Sequence, residues 1–118
     1  MPKLRVWNRS RDILLAERAI TAGTSRERRT GLLAHASLEK GEGLWIAPCE
    51  AVHTIGMKFP IDVLFLDRKK KVLKIRKGMK QWRMAACFRA HSVLELPAGI
   101  TEETGTMVGD QLELEKYA

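Results

Sequence analysis

Two carboxylates stand where the chain is otherwise apolar: Asp62 interrupts Ile61-Asp62-Val63-Leu64-Phe65-Leu66, and Glu95 interrupts Val93-Leu94-Glu95-Leu96. Two such acids can act as general acid and general base when their surroundings push their pKa values apart, which is hydrolase chemistry. The plainer reading is structural. A buried carboxylate must be hydrogen-bonded or paired, so each would accept bonds from loop amides or an arginine and fix loop geometry. A carboxylate-dependent hydrolase using Asp62 and Glu95 therefore ranks behind the two non-catalytic expectations below.

Cys49 and His53, then Cys87 and His91, repeat a C-x3-H spacing that invites a four-ligand zinc site. On a strand, residues four apart share a side but lie about 13 Å from each other, so each pair would need a helix or tight loop to coordinate one ion. Phe88, Val93 and Leu94 around the second pair favour extended backbone instead. No metal and no cofactor are expected, and both cysteines read as packing residues.

A third chemistry is electrostatic. Nine basic residues fall between Arg68 and Arg83, with Trp82 set between Lys80 and Arg83. Arg68, Lys69, Lys70, Lys71, Lys80 and Arg83 could contact backbone phosphates while the Trp82 indole stacks on a base, which makes nucleic acid the alternative partner. The bland counterparts are a strand edge blunted by lysines and a tryptophan that belongs to the core. Only seven aromatic residues are present, and no RNA- or DNA-binding signature accompanies them.

The elements that must position these groups are mainly strands. With 118 residues the chain is expected to form one domain, residues 1–118, with a single core. Period-two patterns mark strands at Leu4–Asn8, Leu44–Ala47, Ile61–Leu66, Val72–Arg76, Ser92–Leu96 and Asp110–Leu114, and Ile13–Ala16 is a short apolar partner for the first. In Val72–Arg76 the alternation turns Leu73 and Ile75 inward and Lys74 and Arg76 to solvent. Thr24 and Glu27 form a capping-box pattern ahead of Leu32, Leu33 and Ala36, which predicts a helix from about Ser25 that covers one opening of the sheet. A helical turn at Ile100–Thr104 follows Pro97-Ala98-Gly99.

The expected fold is thus mainly β: a small, partly closed β-barrel-like domain of about seven strands with one short covering helix. Its expected core is Val6, Leu32, Leu33, Trp45, Ile61, Val63, Phe65, Leu73, Ile75, Leu94, Leu96, Leu112 and Leu114. The stretch from Cys49 to Phe59 has no sustained period and reads as a loop, and irregular loops often carry sites. With Asp62 expected to tie this loop down, the candidate ligand-binding residues are His53, Thr54, Met57, Lys58, Asp62 and Glu95.

Charge divides unevenly along the chain. Residues 67–93 carry ten bases and one acid, whereas residues 94–118 carry one base and six acids, within a net charge of +7. A basic zone and a separate acidic end are expected on the folded surface. No segment approaches the length of a membrane span and the N-terminus has no leader pattern, so the expectation is a cytoplasmic protein with no membrane partner. No phosphate-cradling glycine loop, nucleophile elbow or HExxH motif is present.

Several blocks together resemble one family. Arg26-Glu27-Arg28-Arg29-Thr30-Gly31-Leu32-Leu33, Met57-Lys58-Phe59-Pro60-Ile61-Asp62-Val63-Leu64-Phe65-Leu66-Asp67, Val93-Leu94-Glu95-Leu96-Pro97-Ala98-Gly99 and Gly109-Asp110 are similar, in order and spacing, to the domain of unknown function 192 family. The resemblance implies a small, mostly β, barrel-like domain of bacterial or archaeal type with no established reaction. Two positions depart from that pattern: Ile55-Gly56 stands where an aromatic pair often precedes the methionine, and Arg68-Lys69-Lys70 replaces a turn that commonly ends in glycine. The functional expectation is an uncharacterised binding or accessory module for a protein or small ligand, without catalysis.

Overall fold

The computed structural model describes residues 3–22, 38–54 and 58–117. The predicted helix from Ser25, with Leu32 and Leu33, lies outside the described residues, as does Met57. Nine strands and one short helix are described: β1 Lys3–Asn8, β2 Ile13–Ala22, β3 Glu42–Ile46, β4 Ala51–His53, β5 Ile61–Leu66, β6 Val72–Met79, β7 Met84–Ala86, β8 Ser92–Pro97, α1 Ile100–Thr104 and β9 Leu112–Tyr117.

The seven strands predicted from the sequence form one mixed sheet in the order β6-β5-β8-β3-β2-β1-β9. Only the β2–β3 pair within it is parallel. The sheet is not closed, but its edge strands meet at one end, where Lys71 bridges Gln111. There the Val72 amide donates to Asp110 O at 2.9 Å and the Leu112 amide to Lys70 O at 3.0 Å. Strand twist drives such curling, so the barrel-like expectation holds in this open form.

Both faces of the curled sheet are apolar, which is why β5 is buried at all six positions. The concave face gathers Leu4, Val6, Leu15, Leu64, Leu66, Val72, Leu94, Leu96 and Leu112, with Ile100 of α1 against them. The convex face gathers Leu44, Ile46, Ile61, Val63, Phe65 and Val93, and Val52 and Ala85 cover it from β4 and β7. Those two strands pair only with each other, as a separate two-stranded ribbon. Gly43 suits the place where β3 crosses the concave core, because a Cβ there would stand tightly, 3.1 Å from Leu96 Cδ2 and 3.3 Å from the Glu95 carbonyl oxygen.

Part of the expected core moves. Trp45, Ile75 and Leu114 are only partly buried at the margin of the concave cluster, and Leu73 is half-buried. The cause at Leu73 is a bulge: Phe65 pairs with Lys74 but Leu66 with Val72, so Leu73 is the extra residue and Val72 takes the inner place. Lys74 and Arg76 do not point to open solvent either. Both are half-buried on the convex side, and Lys74 Nζ donates to Ala86 O of the ribbon at 2.8 Å.

Candidate functional site

Register decides the fate of the paired carboxylates. Asp62 lies opposite Leu96, and Val63 lies opposite Glu95. Directly opposed residues share a face and neighbours along a strand alternate, so Asp62 belongs to the concave side and Glu95 to the convex side. Both are fully buried, and the sheet itself stands between them. They cannot act as general acid and base on one substrate.

Asp62 is instead a helix cap supplied by a distant strand. Gly99, the residue before α1, has no side chain to cap it. Asp62 Oδ2 accepts from the Gly99 amide at 3.2 Å, the Thr101 amide at 2.9 Å and the Thr101 hydroxyl at 2.7 Å. Its Oδ1 accepts from the Gly78 amide at 2.8 Å. Gly78 has φ 59° and sits in a second β5–β6 irregularity opposite Asp62, so one carboxylate satisfies a bulge and a helix start together. Among the described residues Asp62 holds Gly78 and Gly99–Thr101 rather than any part of Cys49–Phe59, which corrects the expectation that it ties that loop down.

The remaining ligand candidates lie on the convex side or its rim. His53 is half-buried at the end of β4, Lys58 is exposed, and Glu95 is buried beside Leu44 and Val63 and held by an interaction of its own. Thr54 is fully buried and works as a latch. Its hydroxyl donates to Lys80 O at 2.6 Å and accepts from the Arg83 amide at 2.8 Å, while its own amide donates to Arg83 O at 2.9 Å. These bonds hold the turn that carries Trp82, which sits in the left-handed region at φ 66°. Cys49 through Phe59 is therefore not a plain loop, since Ala51–His53 is strand β4.

The potential zinc ligands are spread along the ribbon. His53 pairs with Met84, whereas Glu50 O accepts from the Cys87 amide and the Cys49 amide donates to His91 O. Neither cysteine takes part in a disulfide among the described residues. Among the described residues no three His, Cys, Asp or Glu side chains gather as a metal site.

The proposed nucleic-acid residues separate into two groups at opposite ends of β6. Arg68–Lys71 form the β5–β6 turn, where Asp67 Oδ1 accepts from the Lys69 and Lys71 amides at 2.8 and 2.9 Å. Lys70 is folded back, with Nζ 5.2 Å from the centre of the Trp45 ring. Lys80, Trp82 and Arg83 occupy the β6–β7 turn at the other end. Trp82 is 64% exposed, so it is no core residue, and it stands in one stretch with Met84 at 72% and Phe88 at 84%.

The separate acidic end does not form. Pairing of β1 with β9 sets Arg5 against Glu115 at 3.3 Å and Arg9 against Glu113 at 2.7 Å. Arg11 Nε reaches Asp110 Oδ2 at 2.6 Å, and Lys77 meets Glu102 at 2.9 Å. Among the described residues, Lys58, Lys80, Arg83 and Arg89 make no ion pair. Arg68, Lys69, Lys70, Lys71, Lys74 and Arg76 likewise make none among the described residues, so the uncompensated charge runs along the β5–β6 hairpin as well as around the ribbon.

Asp110 carries a pH signature. Burial alone would raise its pKa, but hydrogen bonds from Arg11, Asn8 and the Met107 amide, with the Arg11 charge, outweigh burial and hold the carboxyl below its usual value. A lowered folded value means that the stabilisation is complete above the unfolded carboxylate pKa of about 3.9 and is lost as pH falls through the folded one. Denaturation from pH 6 to pH 3 should therefore show the stability gap between parent and Asp110→Asn narrowing below about pH 4. A gap that stays constant would remove Asp110 from the acid response.

A further groove, of about 370 Å³, lies between Ile13–Arg18, Lys40, Gly41 and the helix residues Ile100, Glu103 and Thr104. None of the candidate residues lines it. The sequence offered no signal for it, because its wall is assembled from β2 and α1, which are distant in the chain.

Comparison with known proteins follows this geometry. The UPF0127 protein of Pyrococcus furiosus is 39% identical over 64 residues, a match that covers 53% of this chain and 54% of that protein, so the alignment spans about half the length of each. A proposed transcription regulator from Sinorhizobium meliloti 1021 superposes with a TM-score of 0.81 at 20% identity, over 96% of this chain and 92% of that one. A protein of unknown function from Novosphingobium aromaticivorans gives 0.76 at 23%, over 96% and 84%. At such identities these two structures share the fold alone. Among the described residues no helix is long and apolar enough to cross a membrane. The family model described as DUF192, Uncharacterized ACR, matches residues 6–114, and the chain belongs to that family.

Proposed function

We propose that this protein is a non-catalytic binding module whose contact surface is the outer side of the β4–β7 ribbon together with the turns at either end of β7. The observation that carries this reading is the run of exposed large side chains Trp82, Met84 and Phe88, set among Lys80, Arg83 and Arg89. Contiguous exposed apolar surface rimmed by polar groups marks interaction sites. The Thr54 latch gives the surface a defined shape, which lowers the ordering cost of binding. A cytoplasmic setting is part of this proposal, because two cysteines are too few for the disulfide framework of a small secreted domain.

Hydrogen exchange tests the location of the surface. The full chain is titrated with three probes: an oligothymidylate, vesicles containing phosphatidylglycerol, and an acidic peptide. At least one probe is expected to slow exchange at residues 80–90, and Thr54→Val, by freeing the turn, is expected to weaken that binding severalfold while adding no new protection elsewhere. Protection confined to the Ile13–Arg18 groove, or no binding of any probe, would overturn the assignment.

A further inference from the structure

The ribbon surface has a chemistry specific enough to name a partner, and the naming rests on the binding-module reading just given. Met84 is exposed on β7, Trp82 and Phe88 are exposed in the turns before and after that strand, and the buried Ala85 packs on the convex core. An aromatic ring thus stands in the turn on each side of a three-residue strand. Lys80, Arg83 and Arg89 interleave with the rings, and no acidic residue occurs between Lys80 and His91.

Rings and cations in alternation need a partner with flat apolar units joined by negative charges. We propose that this side of the ribbon binds single-stranded nucleic acid, with Trp82 and Phe88 stacking on bases and Lys80, Arg83 and Arg89 contacting phosphates. A duplex hides its base faces and would leave the rings without a partner. A lipid surface is the poorer fit, because a surface that enters acyl chains is apolar throughout and keeps its cations on the rim, whereas the exposed Arg83 directly follows Trp82 and Arg89 directly follows Phe88. The rigidity of the turn agrees as well: Thr54 fixes Trp82 at φ 66°, and a pre-positioned ring loses little freedom when a base stacks on it. The Arg68–Lys71 turn, at the far end of β6, is outside this contact.

The test is fluorescence anisotropy of labelled oligothymidylate and of a duplex of equal length with the full chain, beside co-sedimentation with vesicles of phosphatidylcholine and phosphatidylglycerol. Single strands are expected to bind more tightly than duplex. Neutralising three phosphates gives a slope near −2 in log affinity against log salt, a loss of about 20-fold from 50 to 200 mM. Trp82→Ala is expected to weaken binding by about 5- to 150-fold, and Arg83→Glu with Arg89→Glu to flatten the salt slope. Lys69→Glu with Lys70→Glu and Lys71→Glu should leave the Trp82-dependent affinity near that of the parent. Because the substituted ring is exposed, an unchanged denaturation midpoint certifies each variant.

Duplex preferred over single strand, or oligothymidylate binding indifferent to Trp82→Ala, would overturn the nucleic-acid assignment. Trp82-dependent binding to vesicles without binding to oligothymidylate would overturn it too, yet leave the ribbon as a contact surface. Indifference of every probe to Trp82→Ala and Phe88→Ala would sink both readings.

Discussion

Asp62→Ala is expected to lower folding stability by about 3–5 kcal/mol, measured by urea denaturation of the full chain. The magnitude comes from the number of donors left behind. The amides of Gly78, Gly99 and Thr101 and the Thr101 hydroxyl all give hydrogen bonds to this one carboxylate in a fully buried position. A buried donor without an acceptor costs about 1–3 kcal/mol, and partial relaxation keeps the total below the simple sum. Asp62→Asn retains one acceptor oxygen but turns an amide group toward donors, so a cost of about 2–3 kcal/mol is expected. Amide exchange at Thr101 and Gly78 should accelerate in both variants. A loss under about 1 kcal/mol for Asp62→Ala would show that α1 does not need its remote cap.

Phe65→Ala is expected to be equally severe, at about 3–5 kcal/mol. Phe65 is fully buried on the convex face, outside the curl of the sheet, where a simple barrel would meet water. The Lys74 ammonium stands 5.9 Å from its ring centre before reaching Ala86 O, so the ring also supports the tether to the ribbon. Leu94→Ala, on the concave face, should cost about 2–5 kcal/mol. Similar losses for the two variants would establish that the domain has two cores sharing one sheet. A cost near zero for Phe65→Ala, with Leu94→Ala still damaging, would reduce the convex cluster to loose covering.

The main sheet was legible in the sequence because each of its seven strands has enough residues for alternation, or a continuous apolar run, to stand out. The ribbon was not. Ala51–His53 and Met84–Ala86 are three residues each, too short for any period, and they declare themselves only by packing Val52 and Ala85 on the convex face. Burial of Asp62 was readable from its apolar neighbours, whereas its partners depended on the register that brings Gly78 and Gly99 beside it. The same register separated Asp62 from Glu95, which pattern alone cannot do. At Leu73 alternation misled, since one bulge exchanged the inner and outer positions.

Charge showed the same limit. Counting along the chain put acids and bases in different places, but Glu113 and Glu115 come to rest against Arg9 and Arg5. Trp82 stands between Lys80 and Arg83 in the sequence, whereas Phe88 and Arg89 join the proposed surface only once β7, too short to declare itself by pattern, is in place.

The pairing of Lys3 with Tyr117 has a temporal side. One flank of β1 must wait, during synthesis, until residues 112–117 have emerged before its neighbour exists, and such non-local closure makes for slow folding. An unpaired flank is an invitation to other nascent chains. Positive charge at Arg5 and Arg9 is the kind of edge feature that disfavours such pairing, and once β9 is in place the same two side chains clasp Glu115 and Glu113.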